Sequence, residues 1–204
     1  AGWFGMPCTV VVPAGAPEVK VRGMESHGAT VVRAPHDGYD ATQTWALERA
    51  AEFGGAFVSA FDDSGVIAGN GGTTLLEILE DGPSFDAVIA PCGGGGLVSG
   101  MGLVARELQP ELHIIGVNSF ASPGMWLSRR DGRPHLEVES KPTIAEGLEG
   151  GVGERTFRLV QEFVHQVLAV NEPTVRRTVV GIAREEHVLA AGSAGVAGAA
   201  ARQG

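Results

Sequence analysis

The residues most suited to chemistry form a glycine-rich loop between Pro91 and Leu97. Its four consecutive glycines follow an apolar stretch and precede a segment with helical periodicity. Glycine allows backbone conformations in which successive N–H groups turn toward one point and attract an anion. The free N–H groups and the dipole of a helix N-terminus add to this attraction. We therefore predict phosphate binding by backbone atoms alone, without a lysine or arginine. The predicted ligands are the N–H groups of Gly93, Gly94, Gly95, Gly96 and Leu97. A flexible turn is the alternative, but a linker seldom joins two apolar elements so directly.

The glycine spacing excludes two familiar nucleotide-binding motifs. The dinucleotide fingerprint needs glycines at positions i, i+2 and i+5, but Val98 and Ser99 occupy the last position when counting starts from Gly93 or Gly94. The P-loop needs a lysine after its second glycine, and Met101 stands there instead. A small phosphate ester therefore fits the loop better than a nucleotide does.

The loop must be positioned by alternating strands and helices. Apolar, β-branched runs predict strands near residues 8–12, 29–33, 56–58, 86–90, 113–117 and 165–170. Helical patterns are found near residues 17–27, 39–53, 66–80, 96–108, 154–164 and 172–188. Strands that are apolar on both faces are typical of parallel sheets. We therefore predict an α/β fold of parallel sheets flanked by helices. Residues 124–153 are predicted to be mostly loop, a small-residue segment covers 190–201, and a lobe boundary is expected near 62–65.

Composition excludes several classes of function. Fifteen Lys+Arg against 24 Asp+Glu give a net charge of −9, and no basic cluster is present, so we expect no nucleic-acid partner. No apolar run approaches the roughly 18 residues that span a bilayer, and no signal-peptide pattern is visible. The two cysteines, Cys8 and Cys92, lie far apart and are predicted to be reduced thiols with packing roles. These features predict a cytoplasmic protein without membrane association.

The remaining polar clusters predict structure rather than catalysis. Asp62-Asp63 is typical of a turn and a helix N-cap. The six histidines show no metal-ligand spacing. We therefore predict no metal site.

The order of several segments resembles that of the pyridoxal-phosphate-dependent threonine/serine dehydratases, which have the tryptophan-synthase-β fold (fold type II). The segments are Asp62-Asp63 with Val66–Asn70, Leu76–Glu80, Ala87–Leu97, Ile115–Val117 and Thr143–Leu148. The resemblance covers essentially all 204 residues. The tetraglycine loop and the Thr-Ile-Ala-Glu-Gly segment are specific for this family but not for one substrate.

The resemblance implies a cofactor, a reaction and two lobes. The glycine loop would hold the phosphate of pyridoxal 5'-phosphate, and Thr143–Leu148 would lie along its ring. Residues 1–64 would be part of a smaller mobile lobe, and residues 65–204 a larger cofactor-binding lobe truncated at its C-terminal end. The reaction would be an ammonia-lyase reaction that converts L-threonine or L-serine to a 2-oxo acid and ammonia. A homo-oligomer is expected.

Several family features are missing from the chain. The family's Schiff-base lysine belongs to a Ser-x-Lys-x-Arg segment that would precede Ala1, and neither Lys20 nor Lys141 matches it. We therefore predict no catalytic residue within the chain, which both ends suggest is incomplete. Ala191 stands where the family has a glutamate. The metal-binding carboxylates of serine-racemase-like members are replaced as well, by Asn118 and Gly124.

These departures leave two alternatives to a dehydratase. One is a serine-racemase-like enzyme, which the residues at 118 and 124 weaken. The other is a non-catalytic remnant that retains a phosphate or pyridoxal-phosphate pocket.

Overall fold

The computed structural model describes residues 1–203, which form two units, Ala1–Val58 and a second unit that begins at Ser59. Both units contain parallel β-sheets with helices, so the predicted α/β class is confirmed. The predicted lobes, residues 1–64 and 65–204, remain a prediction. Asp62 belongs to the second unit, where its carboxylate accepts a hydrogen bond from the Thr156 N–H at 2.9 Å.

The first unit has a sheet of two strands. Strands β1 (Thr9–Val12) and β2 (Thr30–Arg33) pair in parallel. Helix α1 (Glu18–Ser26) connects them, and α2 (Tyr39–Arg49) follows. The predicted strand at 56–58 is wrong. These residues pair with no described strand, and Val58 is 61% exposed, so no buried face holds them in a sheet.

The second unit has a three-stranded parallel sheet in the order β3-β4-β5. Its strands are β3 (Ala87–Pro91), β4 (His113–Ser119) and β5 (Gln166–Val170). Its helices are α3 (Ser64–Ile67), α4 (Thr73–Asp81), α5 (Gly96–Leu108), α6 (Gly124–Asp131), α7 (Glu154–Phe163), α8 (Glu172–Glu185) and α9 (Gly192–Ala201).

The three-stranded sheet is covered by a hydrophobic core on each face. One core joins Ala90 and Ile114 of the sheet to Val98 of α5 and Val160 of α7. The other joins strand residues such as Val117 and Val170 to helices α8 and α9, through Val175, Val196 and Ala199. Burial on both faces explains why the strands read as continuous apolar runs.

A π-helical turn at Ala68–Gly72 separates α3 from α4, where the sequence predicts one helix over 66–80. This turn packs against α5 at glycines. A Cβ on Gly71 would lie 2.0 Å from the Leu97 carbonyl oxygen, and one on Gly100 would lie 2.3 Å from that of Ile67. Only glycine permits so close an approach, which helps to position the start of α5.

Two segments are more helical than predicted. The expected loop at 124–153 begins with α6, in which the buried Met125 and Ser128 anchor one face. The small-residue segment forms α9, because Val196 and Ala199 are fully buried against the sheet and its neighbouring helix. Small side chains on α9 allow this close packing.

Within residues 1–203, every helix is too short or too polar to cross a lipid bilayer.

Candidate functional site

The glycine loop connects the end of β3 to the first turn of α5. The Cys92 N–H donates to the Val117 carbonyl at 2.8 Å, and the Ser99 N–H donates to the Gly95 carbonyl at 3.0 Å. Between them, the N–H groups of Gly93–Leu97 have no acceptor among the described residues. Several consecutive donors are therefore available at a helix N-terminus, where the macrodipole favours negative charge.

Close neighbours explain why the loop consists of glycines. Gly95 has a φ of 99°, a left-handed conformation that side chains rarely adopt. A Cβ there would lie 2.6 Å from Met125 Cε, and one on Gly94 would lie 2.5 Å from the Phe61 ring. A Cβ on Gly93 would lie 3.0 Å from the Leu148 Cα. The loop therefore has no room for side chains, and its backbone is the surface available to a ligand.

The start of α7 supports this loop. Thr156, which is fully buried, donates its hydroxyl to the Gly94 carbonyl at 2.6 Å. The same hydroxyl accepts from the Gly153 N–H at 3.1 Å. Since Gly153 occupies the N-cap position and has no side chain, the acceptor for the Thr156 N–H is Asp62. The Asp62 carboxylate would clash with a Cβ on Gly153, at 2.1 Å.

The segment Thr143–Leu148, expected to line the cofactor ring, lies beside the loop. Its Leu148 packs on Gly93, and its Gly147 N–H donates to Ser193 Oγ at 3.1 Å. Glu172 of α8 holds its other end, accepting from the Thr143 hydroxyl at 2.6 Å and from the Ile144 N–H at 3.0 Å. The structure thus places this predicted segment next to the predicted phosphate ligands.

The carboxylate of Glu172 is held in its charged form. Burial alone would raise its pKa. The hydrogen bonds from Thr143 and Ile144 and the ion pair with Arg176 at 2.8 Å outweigh burial and lower the pKa of Glu172. An ionised acceptor strengthens its hydrogen bonds to the segment.

Asn118 fixes the strand end that precedes the loop. Its amide nitrogen donates to the Cys92 carbonyl, and its amide oxygen accepts from the Trp126 N–H at 2.7 Å.

Burial raises the pKa of the Cys92 thiol to about 12, so the thiol is neutral and serves packing. Gly124 is tightly packed, since a Cβ there would lie 3.0 Å from the Gly150 carbonyl oxygen.

No group of three His, Cys, Asp or Glu residues in the described part of the chain is placed to hold a metal ion. The predicted absence of a metal site remains a prediction.

The two lysines are both exposed: Lys20 belongs to α1, and Lys141 lies in the loop before Thr143.

These residues fit the phosphate of pyridoxal 5'-phosphate. The N–H groups without acceptors supply hydrogen-bond donors, and a Cβ on any glycine of the loop would be in close contact with a neighbour. When bound, the cofactor supplies a ring that withdraws electrons from the α-carbon of an amino acid. The residues that would hold its phosphate are Gly93–Leu97, and their part would be to bind and orient that end of the cofactor.

The chain is similar to known pyridoxal-phosphate enzymes. The model of the family "Pyridoxal-phosphate dependent enzyme" matches residues 1–204, so the chain belongs to this family, whose cofactor is pyridoxal phosphate. An L-threonine ammonia-lyase of Thermotoga maritima is 39% identical over 199 residues, which are 97% of this chain and 49% of that protein. The chain thus spans about half the length of this relative.

Two solved structures share the fold. Threonine deaminase isoform 2 of Solanum lycopersicum superposes with a TM-score of 0.85 and 30% identity, over 96% of this chain and 57% of that one. The serine racemase of Dictyostelium discoideum gives a TM-score of 0.84 and 29% identity, over 98% of this chain and 63% of that one. The predicted fold type and family resemblance are therefore confirmed.

Sequence reasoning missed the residues that support the site. Asp63 is the N-cap of α3, where its carboxylate accepts from the Gly65 and Val66 N–H groups. Asp62 instead caps α7, by accepting from the Thr156 N–H. Thr156 and Glu172 are not among the predicted site residues. The local signal for an external cap is Gly153 itself, because a glycine at the N-cap of α7 has no side chain to accept an N–H of the first turn.

Proposed function

We propose that this chain is the phosphate-binding part of a pyridoxal-phosphate-dependent threonine ammonia-lyase. The observation that carries the proposal is the row of backbone N–H groups from Gly93 to Leu97, which have no acceptor among residues 1–203. Identities of 33–39% to L-threonine ammonia-lyases support this reaction. The reaction removes ammonia from L-threonine and leaves a 2-oxo acid.

The chain's residues divide the binding task in this proposal. Backbone N–H groups of Gly93, Gly94, Gly95, Gly96 and Leu97 bind the phosphate, while Thr143–Leu148 lines the ring. Fixing the cofactor at both places orients the amino acid so that the breaking bond is aligned with the ring. L-Serine is proposed as a second substrate, because it shares the β-hydroxyl that leaves.

We also propose a cytoplasmic homo-oligomer. Both cysteines are free thiols, Cys92 being buried and Cys8 partly buried, as expected in a reducing compartment. Homo-oligomers are the commonest assemblies of soluble enzymes. Sedimentation of the purified protein tests the oligomer directly: a monomer at all concentrations would contradict it.

The reaction is tested on the coding region expressed together with its flanking sequence and saturated with pyridoxal phosphate. We expect 2-oxobutanoate and ammonia from L-threonine in equal amounts. Conversion of L-serine to D-serine without 2-oxo acid would instead support a racemase. Saturable cofactor binding with no turnover of either amino acid would support a non-catalytic remnant.

A further inference from the structure

We propose that Thr156, capped by Asp62, is a positioning residue for the phosphate-binding loop. The inference rests on the proposed function, since it concerns how the loop presents its donors. Thr156 is buried on α7, far along the chain from the loop, yet its hydroxyl reaches the Gly94 carbonyl at 2.6 Å. It is the only side chain among residues 1–203 that donates a hydrogen bond to a carbonyl of Gly93–Gly96, apart from the weak 3.9 Å contact of Cys92 with Gly93.

The position of the Gly94 carbonyl determines the direction of the next N–H. A trans peptide group is planar, and its C=O and N–H point in opposite directions. Because Thr156 holds the Gly94 carbonyl, the Gly95 N–H points away from α7. Glycine has more conformational freedom than any other residue, so a run of four glycines needs such a contact to keep one orientation.

The direction of the hydroxyl proton is also determined. Thr156 Oγ1 lies 2.6 Å from the Gly94 carbonyl oxygen and 3.2 Å from that of Gly153. A hydroxyl has one proton to donate, and the shorter contact is the stronger acceptor position. The oxygen simultaneously accepts from the Gly153 N–H, which leaves the proton for Gly94.

Asp62 holds Thr156 in place. Its carboxylate accepts the Thr156 N–H at 2.9 Å, and the Arg155 guanidinium donates to the Asp62 carbonyl at 3.1 Å. A carboxylate at the start of α7 is also favoured by the helix dipole. The neighbouring Phe61 packs its ring on Gly94 and its backbone on Gly96. Residues 61 and 62 therefore connect the starts of α5 and α7.

A matched set of variants tests this role. Thr156→Val removes the hydroxyl while keeping the shape, and Thr156→Ser keeps the hydroxyl. Thr174→Val is the control: Thr174 is a buried threonine at the same position of helix α8, and its hydroxyl bonds with Asn171, Arg177 and Gln203 instead of the glycine loop. It should lower stability without touching phosphate binding.

Two measurements are made on each variant of the chain labelled with ¹⁵N. The first is the rigidity of the Gly93–Leu97 amides without ligand, from heteronuclear NOE values. The second is the dissociation constant for pyridoxal 5'-phosphate, from shifts of the same amides. We expect Thr156→Val to lower the NOE values of the loop and to weaken binding about three- to tenfold. Thr156→Ser and Thr174→Val should stay within about twofold of the wild type.

The two measurements separate the positioning role from the proposed function. If Thr156→Val leaves both loop rigidity and affinity unchanged, Thr156 does not position the loop. An equal loss of affinity in Thr174→Val would also overturn the proposal, since the effect would then follow stability alone. If the wild type binds no phosphate ester at the loop, the proposed function fails, and the NOE values still decide whether Thr156 holds Gly94.

Discussion

Helices α7 and α8 both support the site from their first turns, but they do so in opposite ways. Helix α8 caps itself, because the Asn171 side chain accepts the Thr174 N–H at 3.0 Å. Its first residue, Glu172, is therefore free to hold the Thr143–Leu148 segment. Helix α7 begins after Gly153, which has no side chain, so Asp62 supplies the cap from outside.

The difference extends to the groups that reach the site. From α7, the neutral hydroxyl of Thr156 holds the glycine loop. From α8, the charged carboxylate of Glu172 holds the adjacent segment. The phosphate side of the site is thus supported next to the loop by a group that does not titrate near neutral pH, and the other side by one that titrates in acid. The two sides of the site can therefore be perturbed separately.

The largest effect is expected from a side chain within the glycine loop. Gly94→Val places a branched side chain against Phe61, and Gly95→Val places one against Met125. The valine at position 95 would also have to adopt a φ of 99°. We expect affinity for pyridoxal 5'-phosphate to fall by more than tenfold, which is about 1.4 kcal/mol. Fluorescence titration measures this loss.

Gly55→Val is the control for that experiment, since a Cβ there meets nothing within 4 Å. Its affinity should equal that of the wild type. A Gly95→Val protein that keeps its circular dichroism spectrum and binds with unchanged affinity would show that the loop is not the phosphate site.

The next largest effect is expected on stability, from Glu172 of α8, which holds the Thr143–Leu148 segment. Glu172→Ala leaves the Thr143 hydroxyl and the Ile144 N–H without their acceptor, so we expect a loss of about 1–3 kcal/mol in the free energy of unfolding. The matched control is Glu154→Ala. Glu154 is likewise the first residue of its helix and faces an arginine four residues on, but its ion pair is exposed and spans 3.7 Å.

Exposed ion pairs of this kind contribute about 0–1 kcal/mol. Urea denaturation of both variants therefore measures how much more unfolding free energy is lost in Glu172→Ala than in Glu154→Ala. Equal losses in Glu172→Ala and Glu154→Ala would show that Glu172 contributes only as a surface charge and does not hold the segment.

A smaller effect is expected in acid. The folded-state pKa of Glu172 lies below its usual value of 4.5, so the unfolded chain takes up the proton first as the pH falls. The stability that Glu172 contributes is complete above about pH 4.5 and is lost as the pH falls through the lower folded pKa. Urea midpoints between pH 7 and pH 3 should therefore converge for wild type and Glu172→Gln. A gap that stays constant or widens in acid would contradict this sign.

The smallest effect is expected at the lysines. Lys141 lies close in sequence to Thr143 but is exposed, as is Lys20. Incubation with pyridoxal phosphate, borohydride reduction and peptide mapping should give slow labelling shared between lysines, with no single stoichiometric site. Stoichiometric labelling of Lys141 alone would show that this chain carries its own nucleophile beside the Thr143–Leu148 segment, and the interpretation that it lacks one would be wrong.

The sequence predicts the glycine loop and the helix after it better than it predicts the side chains that hold the loop and its neighbouring segment. The glycine loop is recognisable because its residue type is itself the signal, and α5 is observed over the predicted residues 96–108. Thr156 and Glu172 act through contacts with residues distant in sequence, at separations of 62 residues to Gly94 and 29 to Thr143. No local pattern encodes such partners. The strand predicted at 56–58 failed for a related reason, because strand formation needs a neighbour that a local run does not reveal.

The central claim is that the glycine loop binds phosphate through its backbone, and amide chemical shifts test it most directly. A ¹H–¹⁵N spectrum of the chain titrated with pyridoxal 5'-phosphate reports each N–H separately. We predict saturable shifts that are largest for Gly93, Gly94, Gly95, Gly96 and Leu97, with much smaller shifts on titration with pyridoxal, which lacks the phosphate. Shifts centred on other residues, or equal responses to the two compounds, would contradict the account.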